Sequence, residues 1–429
     1  MRNFIQTSLF AVNRFFGVQV DGHYESNSVP SAAIIDALKS RHWHQGYKKY
    51  QAQVLLFERR RIFFKNLAAM LLFPLALGAI VMISYLCRPG KRTQVDDVYV
   101  AADHPLMNTM SRFHAFRYHV QAFKRVTPYR LMGTFDKKVA GYFGRLVVSH
   151  RYLCRHPYLM LHVLIKVCAY QAIIATHAPR RLYSFNERSY AGPFITEFLN
   201  SQGIAHHLVM HGLRIFSVKD AFCAYDSMYV FGEYFAELFA KMQAKTDRYC
   251  IMGHPTIHAV KGTQQIRDGN DPRVLVVLQP PEILKKEEVI GFMHLLQSCS
   301  KRHRLVVKPR HDGHNWLAGE IRDLAEEKGR DNMEVLSDYG IFCGKNSTYL
   351  LEAWSWGKKV ILLGTNSLPR DVITGPNVLR LPLQPERGAW ESERLEDFLS
   401  SPPHCDWNAI RKVFSDRLYA VDSHANQEI

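Results

Sequence analysis

The 429-residue chain has no C-x-x-C pair among its eight cysteines, no D-x-D triplet, no low-complexity tract and no repeat at a solenoid period. Cysteines scattered in this way exclude a zinc ribbon and a disulfide framework, and predict free thiols in a reducing cytoplasm. Lack of D-x-D leaves no acidic pair spaced to hold a divalent metal on a pyrophosphate, so no metal site is expected. Residues 1–30 carry many polar groups and no long apolar core, so no cleavable leader is legible. Acid is scarce where base is dense. Between Arg112 and Arg155 there are ten Arg or Lys and the single acid Asp136.

What remains is a chain with 47% hydrophobic residues and a formal charge of +16. That length and apolar content suit two globular domains with cores of usual size. The charge points to anionic partners: phosphorylated substrates, nucleic acid or an acidic membrane surface. The basic, aromatic run at 112–155 contains no nucleic-acid recognition module and fits a membrane-facing surface, so nucleic acid is not expected as a partner.

Residues 1–61 are polar, basic and aperiodic and read as an extension. Leu67–Cys87 follows, about 21 residues without a charge, inside an apolar segment at 62–94. A straight helix of that length would span a hydrocarbon core of ~30 Å. Basic residues flank it on both sides, Arg59–Arg61 and Lys65 before, Arg88, Lys91 and Arg92 after. A single crossing cannot keep both flanks on the cytoplasmic side. With Pro74 and Gly78 inside, a kinked or re-entrant hairpin in contact with the membrane is the favoured reading, because core helices rarely stay uncharged for so long, and a buried core helix is the alternative.

From residue 95 short strands alternate with helices: Val98–Ala102, Arg181–Glu187, Ala205–Met210, Ser227–Phe231 and Tyr249–Met252, with a long apolar helix at Tyr158–Thr176. This texture predicts a parallel sheet over 95–255 with function at the strand C-termini. A polar linker at 256–273 leads to a second set over 274–400. Its strands are expected at Arg273–Gln279, Arg304–Lys308, around Tyr339–Cys343, at Val360–Leu363 and at Asn377–Leu381, with helices at Lys286–Ser300 and Trp316–Lys328. A terminal helix at Asp406–Leu418 lies in the last segment, 401–429.

The second set contains the stretch that organises the chain, GKNSTYLLEAWSWGKKVILL at Gly344–Leu363. It reads as the end of a strand, a loop with the N-cap residues Asn346, Ser347 and Thr348, a helix ending at Gly357, and a buried strand. Such a helix start offers unpaired N–H groups, the positive end of a dipole and two hydroxyls to an anion. Any Ser/Thr-capped helix after a strand has the same look, so this feature alone separates nothing.

VMHGL at Val209–Leu213, FGEYFAELF at Phe231–Phe239, IMGHP at Ile251–Pro255 and VVKPRH at Val306–His311 precede that stretch. In order and spacing the chain resembles bacterial surface-polysaccharide transferases of the GT-B class: the capsule and lipopolysaccharide Kdo-transferase-like group, sialyl- and polysialyltransferases, and CDP-glycerol glycerophosphotransferases. The resemblance runs from about Asp96 to Leu381. It implies an α/β GT-B fold, two Rossmann-like domains facing a cleft, here behind an N-terminal basic and apolar membrane-associated extension.

Position by position, the resemblance implies that His211 is the cleft-facing histidine and a base for the acceptor hydroxyl, and that Lys308 touches donor phosphate; Glu187, which also ends a first-domain strand, is a second candidate base. Arg310 and His311 stand where His and Pro are usual. Ser347 and Thr348 match the hydroxyl pair at the phosphate helix, and Glu352 the carboxylate on the donor ribose. The expectation is a metal-independent, inverting glycosyltransferase without cofactor. It would move Kdo or another acidic sugar from a CMP-, CDP- or UDP-linked donor to a lipid-linked or membrane-bound glycan at the cytoplasmic face of the bacterial inner membrane, as a monotopic or peripheral protein. A polyol-phosphate transferase, a GT-B-like sugar-nucleotide epimerase and a non-catalytic basic membrane-binding protein are the alternatives.

Overall fold

The structure is a computed structural model. It describes residues 28–58, 61–86, 94–100, 134–184, 189–210, 214, 216–254, 273–278, 290–295, 303–308, 325–327, 330, 332–345, 347–364, 373–381, 389–402 and 406–414. Among these are two wholly parallel sheets with helices packed against them.

Residues 28–58, aperiodic as sequence, are folded. Helix α1 (Ser28–Lys39) and helix α2 (Gln45–Gln53) are followed by a π-helical turn, Val54–Glu58. α1 buries Ser31, Ile35 and Leu38 on one face, whereas the contacts of α2 and the turn before it are made by aromatic rings, which leave no aliphatic stripe to read. Tyr50 is fully buried, and Trp43 and Tyr47 pack edge to face at 5.1 Å. His44 caps α2 by accepting from the Gly46 N–H at 3.0 Å, while its ring stacks on Phe194 at 4.1 Å. A Cβ at Gly46 would come within 2.3 Å of the Phe194 ring, so only glycine permits that approach.

The apolar run forms one helix, α3 (Ile62–Leu86), which continues through Pro74. The re-entrant hairpin is therefore not formed. One side of α3 packs on the first domain: Ala69 is fully buried, Ile80 nearly so, and Phe73, Ala76 and Leu77 join the same core. Both ends are tied to that domain. Near the start, the Asn66 side-chain oxygen Oδ1 accepts from the Tyr158 N–H at 3.2 Å; near the end, the Ser84 hydroxyl accepts from the Phe135 N–H at 2.6 Å.

Strands β1 (Asp97–Val100), β2 (Arg181–Ser184), β3 (Ala205–Val209), β4 (Ser227–Val230) and β5 (Arg248–Ile251) form the first sheet in the order 1-2-3-4-5. Its helices are α4 (Lys137–Ser149), α5 (Pro157–His177), α6 (Gly192–Asn200) and α7 (Glu233–Lys241). Asp136 caps α4 by accepting from the N–H groups of Lys138 and Val139. Pro157 opens α5, where its missing N–H costs nothing.

The second sheet holds β6 (Arg273–Val277), β7 (Arg304–Lys308), β8 (Ala325–Glu326), β9 (Ile341–Gly344), β10 (Lys359–Leu363) and β11 (Val378–Leu381), in the order 11-10-9-6-7-8. Its helices include α8 (Asn332–Asp338), α9 (Thr348–Ser355) and α10 (Ala389–Ser400), and residues 290–295, inside the helix expected at Lys286–Ser300, are helical as well. Residues 325–326, expected inside a helix, are instead β8, paired in parallel with Val306 and Val307. Pairing to an adjacent strand overrides the helical propensity of an Ala-Glu pair. Residues 332–338 turn as α8 just before β9, where the sequence shows only a run into a strand.

Helix α11 (Trp407–Val413) then returns to the first domain and packs on α7. Lys412 Nζ lies 3.7 Å from Glu237, and the Val413 carbonyl would be 2.3 Å from a Cβ at Gly232.

Candidate functional site

Counting the second sheet from its first strand, β8-β7-β6-β9-β10-β11 is the order 3-2-1-4-5-6. In a doubly wound sheet the chain reverses direction between the first and fourth strands, here β6 and β9, and the crevice beyond their C-termini takes ligands. Val277 pairs with Gly344 on one side and with Lys308 on the other, so the three strand ends are level. A Cβ at Gly344 would lie 2.8 Å from the Val277 carbonyl, which explains a glycine at the reversal.

Past Gly344 the chain enters α9 through Ser347, whose backbone is extended (φ −106°, ψ 133°) and whose hydroxyl accepts from the Tyr349 N–H at 3.3 Å. The helix closes as a Schellman motif: the Lys358 N–H donates to the Ala353 carbonyl, the Gly357 N–H to that of Trp354, and Gly357 has φ 72°. The expected helix is thus present to within a residue at each end. Lys308, expected on a neighbouring strand, stands one strand further, with β6 between it and β9. Its ammonium nevertheless reaches α9, 5.7 Å from the centre of the Tyr349 ring.

Glu352 lies one turn into α9 with 15% of its side chain exposed. Burial pushes its carboxyl up to about 8. Its Oε1 is 4.0 Å from Nε2 of His254, which follows β5 of the first sheet. That is an approach between the two sheets, longer than a hydrogen bond. His254 is held edge-on by Phe231 at 4.5 Å and by Phe414 at 5.4 Å, the latter from the end of α11.

Of the expected site residues, Lys308, Ser347 and Glu352 come together around α9, and Thr348 is its first residue. Arg310, His311, His211 and Glu187 lie outside the described residues. Two residues were missed. Lys345 is 3% exposed in the GKNS loop between β9 and the Ser347 cap, and a lysine two residues before a cap was itself a legible signal. His254 was legible in IMGHP as a histidine after a strand-end glycine.

Two histidines on β3 show how little the residue type alone decides. His206 is fully satisfied, with Ser184 Oγ at 2.8 Å and Thr196 Oγ1 at 2.7 Å on its two ring nitrogens. His207 points the other way, between Tyr183 and Tyr229, and neither ring nitrogen has a hydrogen-bond partner among the described residues. Burial pushes it down to about 4, so it is neutral at pH 7.

A hollow of about 430 Å³ beside Lys48, Lys245 and Tyr249 opens at the start of β5, the sheet edge away from the strand C-termini.

No protein-family model matches the chain, and no curated protein does. Solved structures with a similar backbone include UDP-GlcNAc 2-epimerase from Neisseria meningitidis bound to UDP-GlcNAc (12% identity, 58% of this chain and 79% of that one, TM-score 0.38). Others are the S. aureus MnaA–UDP co-structure (9%, 74% and 94%, 0.45) and the glycotransferase of kitacinnamycin (11%, 76% and 93%, 0.43). At TM-scores below 0.5 the likeness adds nothing to what the two sheets show by themselves.

Proposed function

We propose that the protein is a GT-B glycosyltransferase that takes a sugar from a nucleotide-activated donor without a metal. One observation carries the reading: the reversal point of a 3-2-1-4-5-6 sheet coincides with the Ser347-capped start of α9, with Lys308 and Lys345 beside it. There the helix N–H groups and the two ammonium groups would hold the donor phosphates, with Arg310 and His311 following Lys308 in the chain. Glu352, one turn deeper, would meet the ribose hydroxyls. His211 follows β3 and Glu187 follows β2, paired parallel strands, so each is a candidate base for the acceptor hydroxyl from the facing sheet. An acidic sugar such as Kdo suits the basic chain, and a lipid-linked or membrane-bound glycan is the acceptor we favour.

Calorimetric titration with CMP, CDP and UDP tests the site. Charge-assisted hydrogen bonds contribute roughly 1.5–3 kcal/mol each. Lys308→Ala and the Ser347→Ala, Thr348→Ala double variant are therefore each expected to weaken the best-bound nucleotide about ten- to a hundred-fold. Glu352→Gln is expected to weaken ribonucleotides more than their 2′,3′-dideoxy analogues. Parent-like affinity in all three variants would remove α9 as the donor site. With donor sugars supplied, nucleotide release together with a glycosylated acceptor supports transfer, whereas an isomerised sugar nucleotide and no transfer would replace it by epimerisation.

A further inference from the structure

Helix α3 is apolar all round, which means two apolar faces needing two apolar partners. One partner is α5. At 100° per residue, the packed residues Asn66, Ala69, Phe73, Ala76, Leu77, Ile80 and Ser84 share one arc. Phe63, Phe64, Leu71, Leu75, Val81 and Met82 fall on another, roughly 140° wide with their neighbours, and are exposed by between 44% and 71%. A soluble monomer seldom leaves more than a few hundred Å² of contiguous apolar surface uncovered. Nine of the twelve exposed large hydrophobic residues among those described lie on this one helix.

We propose that this face of α3 lies in the plane of an anionic lipid bilayer, at the boundary between headgroups and acyl chains, and seats the protein there without crossing. Three observations select that occupant. First, α3 is fixed to the folded domain at both ends, by Asn66 and by Ser84, and packed between them, so crossing would strip Ala69 and Ile80 from their core. Second, charge frames the face: Arg61 is exposed at its start, Lys137 and Lys138 are exposed on α4 where Phe135 meets Ser84 at its end, and no acid lies between Ile62 and Leu86. Third, a helix lying flat puts both basic flanks at one headgroup layer, which a span cannot do. The proposal does not depend on the donor site.

Vesicle sedimentation of the full chain tests it, with phosphatidylcholine vesicles against the same lipid containing phosphatidylglycerol. Binding to the anionic vesicles, weakened but not abolished by salt, is expected. Leu71→Asp with Leu75→Asp is expected to lower partitioning at least tenfold while circular dichroism stays parent-like. Spin labels at Phe63→Cys, Leu71→Cys and Met82→Cys are expected to report one shallow depth. A deep label at Leu71 with the two ends in opposite leaflets would mean a span and overturn the proposal. So would parent-like binding by the double aspartate variant, or no binding by folded parent protein. A parent dimer in vesicle-free solution that the aspartates convert to monomer would assign the face to a second copy of this chain instead.

Discussion

Helices α3 and α5 lie against each other and are close to twins as sequence, with mean hydropathies of 1.8 over Ile62–Met82 and 1.7 over Pro157–His177. Yet 11% of the first segment is buried against 67% of the second. The difference is in where the few polar groups fall. α5 carries His162, Lys166 and a buried Gln171 that donates to Asp136 at 2.6 Å, and its other residues fill the core under the first sheet. Between Asn66 and Ser84, α3 has no polar side chain at all. A mean over the residues records how much apolar surface a helix has, but not how many partners its faces require.

The strongest way to break this contrast is to place the same charge on each helix. Val167→Asp, at a fully buried position of α5, is expected to cost several kcal/mol and to yield no cooperatively folded protein. Leu75→Asp, 71% exposed on α3, is expected to leave the unfolding midpoint in denaturant unchanged or slightly higher. Equal losses in the two variants would mean that α3 is covered after all.

Covered ground also imposes a pH dependence that open ground does not, and two groups here set opposite slopes. His207, about 4 when folded against an ordinary value near 6.5, takes up its proton more readily when unfolded. Stability is therefore lost as pH falls from about 6.5 towards 4, by up to about 3 kcal/mol. Glu352, raised to about 8, acts in reverse: the stability of its neutral form is present below about 4.5 and lost as pH rises through 8. Between about pH 4.5 and 6.5 the two slopes offset each other, so His207→Phe is expected to leave stability falling as pH rises through that acid range, and Glu352→Gln to flatten the limb between pH 6.5 and 8, both read from denaturant midpoints. An acid range left unchanged by His207→Phe would place the titrating group elsewhere.

The smallest expected effect separates the two prolines. Pro74 is interior to α3 and removes a hydrogen bond there, so Pro74→Ala is expected to stabilise by roughly 1–3 kcal/mol. Pro157 opens α5, and Pro157→Ala is expected to move stability by less than about 0.5 kcal/mol. Equal shifts would show that α3 already bends around Pro74 at no cost.

The parts legible in advance are those with a local cause. All the described strands except β8 declare themselves as short apolar runs between turns, and Ser347 and Gly357 mark the ends of α9 through cap chemistry that needs no tertiary context. The Arg304–Lys308 strand matches residue for residue. What was missed depends on distant partners. α2 is seated by Phe194, 150 residues beyond its cap His44. Lys359 opens β10, and its buried ammonium donates to the carbonyls of Phe398, Leu399 and Ser401 at the end of α10, a set of partners that no local pattern announces. The approach of His254 to Glu352 needs both sheets and the last helix in place.

That last helix bears on the order in which the molecule is made. Phe414 and Val413 complete the surface over Gly232 and Phe231, at the end of β4, just over 180 positions after those residues leave the ribosome. During synthesis at about 5–20 residues per second, this part of the first sheet stays uncovered for roughly ten to thirty seconds while the second sheet is made. The exposed Phe231 and Phe235 rings are then ground for a chaperone, and a chain halted before Trp407 would carry that vulnerability permanently.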